Sequence, residues 1–259
     1  MILLSFDIEE FDMPFEYGKT ISFADQLAIS TEGTLKILAL LKQHQVKATF
    51  YCTANFALNK PDVITKIVDD GHEIASHGYY HSNFKVEHLK QSREVLQDLT
   101  KQKVSGYRMA RMMPVDEKEI FTAGYVYNSS INPTYLPGRY NNFHRPRTWF
   151  YQDQVLQLPS SVTPVVRFPL FWLTFHNLPM VLIKWMCQRT YCRDGYLNLY
   201  FHPWEFTNLD QPERFNFPKY VVKNSGETFI KRISNFIVWG KTNNYPFCTT
   251  ITFIDTISK

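Results

Sequence analysis

Met1-Ile2-Leu3-Leu4-Ser5-Phe6-Asp7-Ile8-Glu9-Glu10 is an apolar run of β-forming residues that ends in carboxylates. It lacks the basic lead of a signal peptide, and its apolar part is too short for one. It reads instead as a buried strand starting at residue 2. At the end of an extended strand, residues two apart point the same way. Asp7 and Glu9 therefore share one face and Ile8 turns to the core, so one carboxylate can ligate a metal while its neighbour acts as a base.

Outward from this strand, helical and extended patterns alternate. Thr31 to His44 has helical spacing at Leu35, Ile37, Leu38, Leu40 and Leu41, and Lys47 to Thr53 reads as a second strand. Pro61 to Asp70 reads as a helix, with Pro at its start and Gly71 beyond its end. Glu73 to Ser76 is a short strand, Val86 to Gln102 an amphipathic helix and Val104 to Met109 a strand. A helix over Asp116 to Ala123 and a strand over Tyr125 to Ser130 follow. Asn132 to Pro164 is rich in proline and fits loops with a hairpin around Trp149 to Leu158. After an apolar segment come a strand at Tyr196 to Phe201, a helix at Glu227 to Val238 and a last strand at Phe247 to Ile254. Such alternation predicts an α/β fold, a parallel sheet or barrel covered by helices, and about seven strands favour the barrel. No linker or repeat divides the chain, so residues 1–259 read as one domain.

With 259 residues, 44% hydrophobic and 20% charged, the composition is that of a soluble globular protein. Aromatic residues reach 16%, enough to fill a core and also to line a carbohydrate cleft. A net charge of +4 without a Lys/Arg run excludes a nucleic-acid binder. Cys52, Cys187, Cys192 and Cys248 form no CxxC pair and read as reduced thiols. With no signal peptide, the expected location is cytoplasmic. Phe168 to Met186 is strongly apolar but is broken by Pro169, His176, Asn177, Pro179 and Lys184, which rules out a spanning helix. A buried helix with an aromatic lead-in is the expectation, and peripheral membrane contact through 168–186 is the alternative.

Two further clusters follow strands, where α/β folds place active sites. In Ser76-His77-Gly78-Tyr79-Tyr80-His81, two imidazoles separated by three residues can converge on one cation if the segment turns tightly. Leu199-Tyr200-Phe201-His202-Pro203-Trp204-Glu205 closes a strand with a histidine. Two imidazoles and a carboxylate leave open positions on a cation such as zinc. The remaining carboxylate and histidine supply a base and an acid, a working set for hydrolysing an amide or ester.

SFDIEE, SHGYYH, GYR and LYFHPWE occur in the order and spacing of the polysaccharide deacetylases of NodB homology, the fourth carbohydrate esterase family, which the chain resembles from residue 2 to about residue 254. The closest likeness is to the branch with an Asp-x-Glu first motif and a His-Pro-Trp-Glu last motif, often linked to exopolysaccharide synthesis. The resemblance implies a distorted (β/α) barrel with fewer than eight strands that removes N-acetyl groups from the amino sugars of a poly- or oligosaccharide, releasing acetate. It implies Asp7 as base, Arg108 as its brace, His202 as general acid, and His77 and His81 as metal ligands. Ile8 stands where most relatives carry the metal-binding Asp, so Glu9 supplies the third ligand. Zinc is the expected ion, with cobalt, nickel or iron fitting the same donors. Tyr80, Trp204 and Glu205 are the expected substrate contacts, with the Tyr80 N–H facing the oxyanion. Two departures, Ala110 for the proline of Arg-x-Pro and Asn128 for an Asp before the serines, bear on how Arg108 is held. They leave a non-catalytic glycan-binding protein as one alternative, and a small-molecule amide hydrolase is another.

Overall fold

The computed structural model describes residues 1–258. Its first half runs β1 (Ile2–Ile8), α1 (Phe23–Gln43), β2 (Thr49–Cys52), α2 (Ala54–Asn59), α3 (Pro61–Asp69), β3 (Glu73–Ser76), α4 (Glu87–Thr100), β4 (Gly106–Tyr107), α5 (Glu117–Thr122) and β5 (Tyr127–Asn128). Two hairpins follow, β6 (Tyr135–Leu136) with β7 (Tyr140–Asn141) and β8 (Phe150–Gln152) with β9 (Val155–Gln157). The chain then forms α6 (Trp172–Asn177), α7 (Met180–Asp194), β10 (Leu197–Phe201), α8 (Pro212–Phe215), α9 (Lys219–Val222), α10 (Glu227–Thr242) and α11 (Thr250–Ile257).

β1 is buried along its whole length between two parallel neighbours, β10 and β2. Its alternate residues serve two cores. Ile2, Leu4, Phe6 and Ile8 pack outward with the helices, whereas Leu3 packs inward with Tyr51, Tyr127, Leu156 and Phe253. Each such fully buried apolar side chain contributes about 1.5–3 kcal/mol. The sheet continues in the order β10-β1-β2-β3-β4-β5-β9-β8, parallel except for the β8–β9 hairpin. This is the expected distorted barrel, with eight strands in its sheet where about seven were predicted.

The barrel is closed through the backbone and side chain of one residue. Asn198 on β10 accepts from Ser161 N at 2.9 Å and donates through Nδ2 to the Leu158 and Pro159 carbonyls at 3.2 Å and to Ser129 Oγ at 3.1 Å.

Three sequence expectations need correction. The predicted strand at Phe247 to Ile254 is mostly α11, and only Phe247 makes a parallel bridge, to Ile2. β10 takes one edge of β1 and β2 takes Ser5–Ile8 of the other, so the returning chain meets β1 only at Ile2. The Thr250 and Ile251 N–H groups bond instead to Thr49 Oγ1 and Glu73 Oε2, which lets the helix close the barrel floor. The apolar segment 168–186 is two helices broken at Pro179, and Val181, Leu182 and Trp185 are exposed rather than buried. Lastly, α1 begins at Phe23, capped by Ser22, two turns before the predicted start. Its extra turns carry Leu27 into the main core and Ile29 into a separate cluster with Phe11 and Trp204, so no single face repeats. No helix among the described residues is long and apolar enough to cross a membrane.

Candidate active site

Asp7 is the last inward-facing residue of β1, and Arg108, just after β4, reaches across to it with a 2.6 Å ion pair. Arg108 is completely buried. Its guanidinium also donates to Ser5 Oγ at 2.9 Å and, at 3.0 Å each, to the Ser129 carbonyl and Ser129 Oγ, and it lies 3.9 Å over the Tyr51 ring. Burial disfavours its charge, but the Asp7 carboxylate outweighs this and keeps it protonated. Asn128 does not take part. Its amide donates to Gln157 and its oxygen accepts from Ser130, so Ser129 orients Arg108 in its place. At the other departure, the backbone before Ala110 is held by a bond from Met109 N to Ser130 Oγ at 2.8 Å.

Glu9, His77 and His81 bring one donor atom each to within 4.8 Å of one another. Gly78, at φ +88°, makes the sharp turn after β3 that brings His81 back beside His77. Carbonyl and carboxylate oxygens can only accept, which fixes both tautomers. His77 Nδ1 donates to the Arg108 carbonyl at 2.9 Å and His81 Nδ1 to Asp12 Oδ1 at 2.8 Å. Both Nε2 atoms then face Glu9 Oε2, at 3.2 and 3.0 Å. Two ring nitrogens and a carboxylate oxygen in this arrangement call for positive charge between them. Two neutral imidazoles and one carboxylate, each ring held from behind, are the donor set of a catalytic zinc-type site. When the rings instead carry protons on Nε2, their charge and hydrogen bonds outweigh the burial of Glu9 and pull its pKa well below the usual carboxylate value, as a cation in the same place would.

His202 ends β10, and its Nδ1 donates to Glu205 Oε1 at 2.8 Å. The same carboxylate oxygen accepts from His202 N at 2.6 Å and caps the 203–206 turn. Burial disfavours the imidazolium, but the Glu205 hydrogen bond and the Glu9 and Asp7 carboxylates more than compensate and raise the pKa of His202. Behind Glu205 lies His176, fully buried, with Nδ1 donating to the Lys223 carbonyl at 2.7 Å and Nε2 at 3.1 Å from Glu205 Oε2.

Asp7, Glu9, His77, His81 and His202 line a cleft of about 300 Å³ walled by Tyr140, Phe171, Trp172, Tyr200 and Trp204. Of the expected substrate contacts, Trp204 lines the cleft, stacked on His202. Glu205 does not: it is fully buried beneath His202 and offers no surface to a ligand. Tyr80 packs on Tyr79 and His88, away from the cleft lining. Sequence reasoning missed Asp12 as the brace of His81, and also Arg111, which bonds Asp12 and Glu16 from a left-handed backbone at φ 58°. Asp12 in the same acidic run as Glu9 was the available signal; Arg111 had none.

A family model described as polysaccharide deacetylase matches residues 15–112, a span that includes His77, His81 and Arg108. The peptidoglycan-N-acetylmuramic acid deacetylase PdaA of Bacillus subtilis is 31% identical over 90 residues, 34% of this chain and 34% of that protein. Alignments with the first curated relatives span about a fifth to a third of those proteins' lengths. In three dimensions the chain is similar to a structure from Mycobacterium smegmatis assigned as a polysaccharide deacetylase, with a TM-score of 0.64 and 16% identity over 98% of this chain and 87% of that one. It is also similar to PuuE allantoinase, with a TM-score of 0.67 and 16% identity over 97% and 87% of the two chains. These likenesses, with SFDIEE, SHGYYH and LYFHPWE meeting in one cleft of the expected barrel, make the chain similar in fold and in its matched segment to the NodB-homology polysaccharide deacetylases.

Proposed function

We propose that this protein is a metal-dependent deacetylase that hydrolyses the acetamide of an N-acetylated amino sugar within a poly- or oligosaccharide, giving acetate and a free amine. One observation carries the reading. The Glu9–His77–His81 donor set opens into the same cleft as a carboxylate braced by arginine and a histidine braced by glutamate. Glu9, His77 and His81 would hold the ion, with zinc the expected choice for two nitrogens and one oxygen. When bound, it supplies Lewis-acid polarisation of the acyl oxygen and lowers the pKa of a water.

The protein's own groups do the rest. Asp7 accepts the proton of the attacking water, held in place by Arg108. His202, with a pKa raised by its carboxylate partners, starts as the imidazolium and protonates the departing amine. The aromatic walls pack on sugar faces and exclude water. The Ser129 contacts to Arg108 support a working base rather than a binding-only protein. Asp7→Asn should abolish acetate release from N-acetylglucosamine oligomers while metal content stays at about one ion per chain. Retained turnover would remove Asp7 from this role, and release only from small non-sugar amides would favour the amidase reading.

A further inference from the structure

An apolar surface lies on α7 and on the turn at residues 163–168. Val181, Leu182 and Trp185 are exposed on the helix. Beside them Val165 and Val166 stand 85% and 72% exposed, followed by Phe168. The turn holding the two valines is rigid. Thr163 N donates to the Phe168 carbonyl at 2.9 Å, Val162 bridges Pro169, and the Arg167 guanidinium donates inward to the Pro133 and Arg145 carbonyls. The valine pair is thus presented outward by a bonded scaffold.

The charge on this face has one sign. Lys184, Arg189 and Arg193 lie on the same helix and form no ion pair among the described residues. The helix's one acid, Asp194, is neutralised by Arg147. The surface is also continuous with the active site. Leu136, Phe171, Leu173 and Tyr220 line both the catalytic cleft and an adjoining apolar groove. That groove continues through Val166, Phe168 and Leu178 to the Trp185 surface.

We propose that this face docks on an anionic bilayer. Val165, Val166 and Trp185 enter the headgroup boundary, and Lys184, Arg189 and Arg193 meet the lipid phosphates. Charge selects this occupant over a second copy of the chain. A two-fold pairing through the same patch would bring each copy's three cations toward the other's. The inference does not depend on the deacetylase reading, because its test measures lipid binding alone.

The test is sedimentation of the whole protein with vesicles of phosphatidylcholine, alone or mixed with phosphatidylglycerol. The expected result is pelleting with the anionic vesicles only, reversed by high salt. Trp185→Ala, and separately the pair Val165→Ser and Val166→Ser, should each lower the bound fraction about tenfold, with circular dichroism unchanged. Three outcomes would overturn the proposal: no pelleting with either vesicle, equal binding by folded variants, or a concentration-dependent dimer that the same substitutions abolish.

Discussion

Glu205 grips His202 twice, through the ring and through the backbone N–H, and both bonds reach the same carboxylate oxygen. Its other oxygen meets His176, so the acid is the outermost member of a buried row that ends on the Lys223 carbonyl. This arrangement fixes the sign of a pH effect. With His202 as the proposed acid, activity should fall as pH rises through its elevated pKa. Glu205→Gln keeps the shape but removes the charge that raises that pKa. The high-pH limb of kcat/KM should therefore move to lower pH, with the low-pH limb in place. A high-pH limb that does not move would show that another group sets it. At this scale the motif residues were legible because each lies in a short local pattern. Glu205 was read as a substrate contact because nothing in HPWE shows which side of the turn it occupies. Arg111 was invisible because its partners, Asp12 and Glu16, lie about a hundred residues away in sequence.

Helix α1 and the turn carrying His202 are packed so closely that Gly33 has no room for a side chain. A Cβ there would lie 1.9 Å from the Pro203 carbonyl oxygen. The obstacle is backbone, which moves only with the whole turn. Gly33→Ala should cost about 1–3 kcal/mol of stability and displace His202, lowering both the melting temperature and acetate release. If both survive unchanged, helix and turn can separate cheaply. Elements were most legible where pattern and position agreed. The strand over residues 2–8 was read from its apolar run, and α3 from its proline and glycine boundaries. α11 misled because Ile251, Thr252, Phe253 and Ile254 favour strands locally. Its fate was decided by β2, which leaves it only the start of β1, and by Thr49 and Glu73, which lie far off in sequence.

Across the whole molecule, the donor cluster joins residues from the end of β1 to residues in the loop after β3, so an ion there ties separate parts of the chain together. Binding to the folded state alone stabilises it by about 2.7 kcal/mol at a concentration one hundred times Kd. A chelator should therefore lower the melting temperature of the loaded protein, and His81→Ala should remove the difference between loaded and stripped samples. Equal melting temperatures for loaded and stripped wild type would mean that no ion binds the folded chain appreciably. The barrel class was legible from alternating patterns, but its closure was not, because Asn198 looks like any other strand residue. β10, which that asparagine joins to the rest of the barrel, also pairs with β1 almost two hundred residues earlier. During synthesis, β1 must therefore wait with one edge bare until β10, almost two hundred residues later, emerges from the ribosome. A message truncated before that point yields a polypeptide with neither a closed barrel nor the histidine that ends β10.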